Sequence, residues 1–165
     1  MELTLELATV DDASEVFALK RAVAERLTEQ YGKGAWSSYG SEDGVERALE
    51  SPTLWLGRDG GELIAMVRLS EKKPWSIDVS KFTQCDSALY LTDMAVSPPL
   101  QGRGIGRECL LEAERIADEA GVDAIRLDAY DAPAGAGAFY AKCGYTEVGR
   151  VVFKSTPLVY YELVL

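Results

Sequence analysis

A strand, three glycines and an amphipathic helix follow one another near the middle of the chain, and this segment constrains the fold most. The strand is ALYLTDMAV (88–96), which Pro98 and Pro99 end. Glycines occupy positions 102, 104 and 106. The apolar residues of the helix share one face: Ile105, Cys109, Ala113, Ile116 and Ala120. Glycines at a helix N-terminus expose backbone N–H groups, which predicts a bound anion.

A plain strand-to-helix turn is the alternative interpretation of this segment. Gly106 lies in the first helical turn, where glycine costs about 1 kcal/mol relative to alanine. Arg103 places a positive charge at the helix start, against the helix dipole. Both features favour an anion. The two familiar nucleotide loops do not match, because the chain has no Gly-Lys-Ser/Thr and its spacing is Gly-x-Gly-x-Gly rather than Gly-x-Gly-x-x-Gly.

Composition excludes several classes of site. The formal net charge of −10 argues against nucleic-acid binding, which needs a surplus of Lys and Arg. The chain has no histidine, and Cys85, Cys109 and Cys143 form no Cys-x-x-Cys, so we expect no metal site and no histidine-dependent triad or dyad. Buried free thiols are expected instead. Proton transfer must then use a carboxylate, Tyr, Cys, Lys or water.

Length and hydropathy indicate one globular domain over residues 1–165. No apolar run is long enough to span a bilayer, so no membrane partner is expected. The N-terminus MELTLELATVDD is acidic, whereas a signal peptide begins with basic residues. A cytoplasmic location is therefore expected.

The order of predicted elements is strand, two helices, three strands, helix, strand, helix and two strands. Asp59-Gly60-Gly61 predicts a hairpin, and residues 71–87 read as a long irregular insertion. Asp131 and Pro133 resemble the cap and first residue of the last short helix. The order predicts a mixed α/β domain.

Two motifs together resemble those of the GNAT-type N-acetyltransferases. Gln101-Gly102-Arg103-Gly104-Ile105-Gly106 matches the family signature Gln/Arg-x-x-Gly-x-Gly/Ala, and the strand before it looks like the family's fourth strand. Phe139-Tyr140-Ala141-Lys142-Cys143-Gly144-Tyr145 resembles the segment Phe-Tyr-x-Lys-x-Gly-Phe/Tyr. The resemblance covers nearly the whole chain. It implies a central mixed, mostly antiparallel sheet flanked by helices, with splayed fourth and fifth strands.

The resemblance also implies acetyl-coenzyme A (acetyl-CoA) as cosubstrate and assigns residues to it. The loop residues expected to cradle the pyrophosphate are Gln101, Gly102, Arg103, Gly104, Ile105, Gly106 and Arg107. The backbone of Met94, Ala95 and Val96 is expected to pair with the pantetheine arm, and the Met94 amide to stabilise the oxyanion. Tyr140 resembles the general acid for the leaving thiolate. Pro133 departs from the family, which often carries an asparagine seven residues before this tyrosine.

The acceptor pocket of the family is built from the loop between the first two helices and from loops at strand ends. The residues that this implies here are Trp36, Tyr39, Tyr90, Thr92 and Trp75. Tyr90 and Thr92 match the family's base positions, but neither is a good base at neutral pH. By period two, Asp93 points away from that face, and we expect it to be structural, hydrogen-bonded to a loop or a helix end. Proton removal is expected to pass through water, helped by a carboxylate from elsewhere.

Three functions remain open at this stage. The leading one is acetyl transfer from acetyl-CoA to a primary amine, on a small molecule or a peptide, by direct attack. The second is a non-catalytic acyl-CoA-binding or sensor module of the same fold, and the third is another kind of nucleotide-binding domain. A homodimer is also open, because members of the family often dimerise through late strands.

Overall fold

The secondary structure follows the predicted order. The structure is a computed structural model that describes residues 2–165. Its strands are β1 (Leu5–Leu7), β2 (Leu54–Asp59), β3 (Glu62–Ser70), β4 (Ala88–Val96), β5 (Ala124–Tyr130), β6 (Thr146–Phe153) and β7 (Thr156–Val164). Its α-helices are α1 (Ala13–Tyr31), α2 (Glu42–Ala48), α3 (Ile105–Glu119) and α4 (Gly137–Lys142). Short 3₁₀ turns lie at Val10–Asp12, Ala35–Ser37, Val79–Lys81 and Pro98–Leu100.

The strands form one mixed sheet in the order β1-β2-β3-β4-β5-β7-β6. β4 and β5 run parallel, whereas the pairs β1–β2, β2–β3, β5–β7 and β6–β7 run antiparallel. The β4–β5 register extends only from Ala88↔Ala124 to Tyr90↔Arg126. Both strands continue beyond it, β4 to Val96 and β5 to Tyr130. This mixed sheet, with a parallel pair that ends early, confirms the predicted fold class.

The hairpin between β2 and β3 is confirmed. Gly60 and Gly61 have φ values of 57° and 84°, as a two-residue turn with left-handed positions requires. Lys154 and Ser155 make the corresponding turn between β6 and β7, with φ values of 47° and 68°. The second turn therefore places two ordinary residues in a conformation that glycine adopts at lower cost.

Backbone contacts divide the chain into two compact units. The first contains the residues up to Arg68 together with Asp93–Glu112. In it, α1 and α2 pack on β2 and β3 through buried side chains that include Val16, Leu19, Val45, Leu54 and Met66. Burying each such side chain contributes about 1.5–3 kcal/mol. This core fixes the two helices whose connection carries two of the predicted acceptor residues, Trp36 and Tyr39.

The second unit contains Leu69–Thr92 and Ala113–Leu165. Its core includes part of the predicted insertion, because Ile77 and Phe82 pack with Tyr90 and Tyr160. The rings of Phe82 and Tyr160 stack with centroids 5.0 Å apart. The insertion is therefore packed onto the strands of this unit and contributes to its core.

Buried polar groups hold the insertion at the same place. Arg126 and Glu162 are each only 4% exposed. Arg126 Nη2 donates to the Thr83 carbonyl at 2.9 Å, and the Glu162 carboxylate accepts from the Thr83 amide at 3.1 Å. Tyr160 Oη accepts from the Asp78 amide at 3.0 Å. Strand residues far along the chain thus satisfy the backbone of the insertion.

The expected start of the last short helix is wrong. The last helix begins at Gly137, so Asp131 and Pro133 do not cap it, and Asp131 instead pairs with Arg150 at 3.3 Å. The chain turns tightly before the helix, since a Cβ on Gly135 would lie 1.8 Å from the Tyr130 carbonyl oxygen.

The expectation of buried thiols holds only for Cys109. Burial, with the nearby charges of Glu108 and Glu112, raises the pKa of its thiol to about 12. Cys85 and Cys143 are partly exposed, and all three are free. Among residues 2–165 no helix is long and apolar enough to cross a membrane. The same residues contain no cluster of Cys, Asp and Glu suited to a metal ion.

Candidate active site

The loop of residues 101–104, here called the glycine loop, connects the Pro98–Leu100 turn to α3. Gly102 and Gly104 have φ values of 77° and 85°, which glycine adopts without strain. Gly106 lies within α3, so the turn does not account for it. A Cβ on Gly102 or Gly104 would meet no atom within 4 Å, and the loop residues are exposed. A ligand can therefore approach this backbone closely.

Of the amides predicted to cradle the pyrophosphate, that of Gln101 is not available, because it donates to the Pro98 carbonyl at 3.3 Å. The amides from Gly102 to Arg107 are available at the start of α3. No backbone or side-chain acceptor among residues 2–165 receives a hydrogen bond from them. The first turn of a helix leaves such N–H groups unsatisfied, and the helix dipole favours negative charge there. Consecutive amides without an acceptor at this point fit a pyrophosphate, so the predicted residues suit the phosphates of acetyl-CoA.

A side-chain contact joins the glycine loop to the end of β4. Gln101 Nε2 donates to the Val96 carbonyl at 3.1 Å. The Leu100 amide donates to the Ser97 carbonyl at 2.9 Å and closes the intervening turn. Met94, Ala95 and the glycine loop all belong to the first unit. The two backbone segments predicted to hold the cosubstrate are therefore held together locally.

A cavity of about 180 Å³ lies in the first unit, and Asp93 of β4 is among the residues that line it. Apolar side chains from α1, α2, β2 and β3 form its floor: Val16, Val45, Ala48, Leu54 and Met66. Polar groups line the rest: Lys20, Tyr39, Ser41, Arg68 and Asp93. We call this the acceptor cavity. It combines an apolar surface with charges of both signs.

Asp93 lines the acceptor cavity, unlike the expectation of a structural residue bonded to a loop or helix end. Its Oδ2 accepts from Arg68 Nε at 3.0 Å, and Arg68 Nη1 donates to Thr53 Oγ1 at 2.6 Å. Asp93 has φ of 47°, so the extended conformation of β4 is interrupted there. The alternation of side chains along β4 is therefore broken at this residue, and the sequence did not predict that Asp93 pairs with Arg68.

Of the predicted acceptor residues, Tyr39 lines the cavity. Its ring lies edge-on to Phe17 at 5.8 Å, and the Arg21 guanidinium lies 5.9 Å from it. Trp36 belongs to the same connection, but its Nε1 donates to the Gly32 carbonyl at 2.9 Å. The structure thus places one of the two aromatic residues of this loop at the acceptor cavity.

The other predicted acceptor residues belong to the second unit. Trp75 is 89% exposed. Tyr90 is only 6% exposed, and its Oη accepts from Arg126 Nη1 at 3.1 Å. Thr92 is partly exposed at the end of the unit's first segment. None of these three residues is among those that line the acceptor cavity.

Tyr140 is a buried residue of α4 in the second unit, 7% exposed. Its ring lies 5.8 Å from that of Tyr145 and 6.2 Å from that of Tyr161. Burial raises the pKa of the Tyr140 phenol, and the charges of Asp128 and Cys143 add to the effect. The phenol therefore stays protonated at neutral pH and can donate a hydrogen bond.

Comparison with known proteins agrees with this geometry. The model of the acetyltransferase (GNAT) family matches residues 20–145. A search of curated proteins found no match.

Several solved structures share the fold at low sequence identity. A GNAT-family acetyltransferase from Listeria monocytogenes is 20% identical with a TM-score of 0.76, over 99% of this chain and 95% of that one. YncA from Salmonella typhimurium, solved with acetyl-CoA, is 16% identical with a TM-score of 0.71, over 100% and 95%. The PaiA N-acetyltransferase of Thermoplasma acidophilum, solved with coenzyme A, is 16% identical with a TM-score of 0.70, over 100% of both chains. Since the family model spans most of the sequence, the chain belongs to the GNAT family of acetyltransferases.

Proposed function

We propose that the protein transfers an acetyl group from acetyl-CoA to the nitrogen of a primary amine by direct attack. The observation that carries the proposal is the run of amides from Gly102 to Arg107 at the start of α3, which are hydrogen-bonded to no other group among residues 2–165. These amides suit a pyrophosphate. YncA and PaiA, which share the fold, were solved with acetyl-CoA and coenzyme A, and this supports the same ligand here.

The backbone of β4 supplies the groups for the thioester. In this proposal Met94, Ala95 and Val96 pair with the pantetheine arm through their backbone. The Met94 amide donates to the thioester oxygen, where negative charge develops as the amine attacks. Arg103, which is exposed in the glycine loop, adds positive charge near the phosphates.

The acceptor cavity presents the amine to that point, because Asp93 lines it and directly precedes Met94. The amine nitrogen forms a bond to the thioester carbon, and the carbon–sulfur bond breaks with its electron pair on sulfur. A water held by the Asp93 carboxylate receives the proton of the amine. Tyr140 donates a hydrogen bond to the departing thiolate. Its raised pKa makes it a hydrogen-bond donor rather than an acid that ionises readily.

A non-catalytic acyl-CoA-binding module is the second candidate, because Pro133 replaces the family's usual asparagine and Tyr90 and Thr92 supply no base. The two candidates differ in turnover. The purified protein is incubated with acetyl-CoA and a panel of small primary amines and peptides, and thiol release and product mass are measured. Acetyl transfer predicts thiol release above the buffer rate and a product one acetyl group heavier. Binding of acetyl-CoA without thiol release would support the module instead.

A further inference from the structure

Three charged side chains line the acceptor cavity, two positive (Lys20 and Arg68) and one negative (Asp93). Arg68 and Asp93 pair with each other at 3.0 Å. Lys20 lines the same cavity and forms no ion pair with any residue in the 2–165 range. The cavity therefore carries a net positive charge, although the chain as a whole carries −10. A bound ligand with a negative group would compensate this charge.

Arg68 is held so that one edge of its guanidinium remains available. Nε donates to Asp93 and Nη1 donates to Thr53, whereas no acceptor within residues 2–165 receives a hydrogen bond from Nη2. The side chain is 18% exposed. A planar guanidinium fixed on two sides offers its remaining N–H groups in a defined direction, which suits a carboxylate.

The floor of the cavity has different chemistry. Val16, Val45, Leu54 and Met66 present only apolar atoms from their side chains. Val16, Leu54 and Met66 are almost fully buried in the core of the unit, so this surface is fixed. It favours an apolar group of modest size, because the cavity holds only about 180 Å³.

We infer that the acceptor is a free amino acid with an apolar side chain, whose α-carboxylate binds Lys20 and Arg68. The inference rests on the proposed acetyl transfer and names its acceptor class. The α-amino group lies on the Asp93 side, one residue before Met94, and the side chain lies on the apolar floor. A peptide N-terminus lacks a carboxylate next to its amine and fits less well.

The test compares amino acids with amides of the same side chain. L-Valine, L-leucine and L-phenylalanine are assayed against L-valinamide, L-leucinamide and L-phenylalaninamide, with acetyl-CoA, by thiol release and product mass. We expect kcat/KM for the acids to exceed that for the amides by about tenfold or more, as for loss of one hydrogen bond to a charged group. The α-amino group of an amino-acid amide loses its proton more easily than that of the free amino acid. Intrinsic reactivity would therefore favour the amides, and it cannot explain faster turnover of the acids.

Lys20→Gln tests the charge directly. We expect it to raise KM for the acids about tenfold and to leave KM for the amides unchanged, because only the acids carry the negative group. A merely structural role of Lys20 would change both series together. Lys33→Gln, at an exposed residue of the same unit outside the cavity, is the matched control and should change neither.

The possible failures are distinguishable. Equal or faster turnover of the amides, or turnover of other amines but of neither series, would overturn the amino-acid assignment and leave acetyl transfer intact. An unchanged KM for the acids in Lys20→Gln would overturn the role of Lys20 in that assignment. Binding of acetyl-CoA with no thiol release for any amine tested would overturn the assignment and the proposed transfer together.

Discussion

The Arg68 guanidinium and the Asp93 carboxylate form an ion pair in which Nε lies 3.0 Å from Oδ2. The pair joins β3 to the residue of β4 with φ of 47°. Asp93 directly precedes Met94, whose backbone we assign to the thioester. The pair therefore includes a residue that lines the acceptor cavity and directly adjoins the backbone segment that we assign to acetyl-CoA.

Asp93→Asn should lower turnover much more than stability. Asparagine tolerates the left-handed conformation and still accepts a hydrogen bond from Arg68. The carboxylate is 39% exposed, so loss of the ion pair should cost less than about 1 kcal/mol of unfolding free energy. We expect kcat/KM to fall about tenfold or more, since the water that receives the proton loses its anionic partner. Steady-state kinetics and thermal unfolding check both effects.

Asp59→Asn, at an exposed residue of the β2–β3 hairpin, is the control for that substitution. It should change neither quantity. If Asp93→Asn kept full kcat/KM, Asp93 would have no part in proton removal.

Gly104→Asp should abolish tight binding of acetyl-CoA. It adds a negative side chain where we place the pyrophosphate, and at φ of 85° it also strains the backbone by roughly 1–2 kcal/mol. Gly121→Asp is the matched control, because Gly121 has φ of 72°, lies after the end of α3 and likewise meets no atom within 4 Å. Both variants should lose similar stability, whereas only Gly104→Asp should lose affinity by calorimetry. Equal affinity of the two variants for acetyl-CoA would show that the pyrophosphate does not bind at the glycine loop.

Tyr140→Phe should lower kcat and leave the Kd of acetyl-CoA nearly unchanged, since the phenol acts only on the leaving sulfur. Because burial raises the pKa of this phenol, its ionisation should not appear in the rate profile near the ordinary tyrosine value of about 10. Tyr145→Phe is a close control. Its Oη is buried without a hydrogen-bond partner in the described structure, so its removal should cost little stability. An unchanged kcat in Tyr140→Phe would remove Tyr140 from the mechanism.

The insertion of residues 71–87 should contribute to stability through Tyr160. The Tyr160 hydroxyl accepts from the Asp78 amide and donates to the Ser76 carbonyl. Tyr160→Phe leaves both groups without this partner and should lower the free energy of unfolding by about 1–3 kcal/mol, measured in urea. Trp75→Ala, in the same insertion but 89% exposed, should change it by less than about 0.5 kcal/mol. Equal effects of the two substitutions would contradict this account.

Asp128 should make stability depend on pH. Burial raises the pKa of its carboxyl, and the hydrogen bond from Ser76 opposes that shift only in part. The folded protein therefore holds the proton more tightly than the unfolded chain. The contribution of Asp128 to the free energy of unfolding is fully present below the pKa of the unfolded chain, about 3.9. It is lost as pH rises through the raised pKa of the folded protein.

Asp128→Asn removes this titration and keeps an acceptor for Ser76. Relative to the wild type, the variant should gain stability as pH rises from about 3.5 to 7, in unfolding experiments across that range. A difference between the two proteins that does not change with pH would contradict the raised pKa.

Local patterns in the sequence predict most of the fold. The β2–β3 hairpin follows from Gly60 and Gly61, and α3 follows from its apolar face, because both depend on neighbours along the chain. The anchoring of residues 71–87 does not, since Arg126 and Glu162 come from β5 and β7 and meet Thr83 only in the folded chain.

The candidate site shows the same division. The glycine loop is visible as a local motif, and Tyr39 follows from the family resemblance. The pair of Arg68 and Asp93 is not visible, because 25 residues separate them and a positive φ breaks the period-two rule at Asp93. Sequence reasoning missed Lys20 for a similar reason, since a lysine on an amphipathic helix ordinarily faces solvent.

Calorimetric titration of the purified protein with acetyl-CoA, with ATP and NAD titrated alongside, tests the central claim most directly. We predict tight binding of acetyl-CoA and little or no binding of the other two nucleotides, because we assign the amides from Gly102 to Arg107 to its pyrophosphate and the backbone of β4 to its pantetheine arm. Absence of acetyl-CoA binding, or equal binding of ATP and NAD, would contradict the assignment of this site.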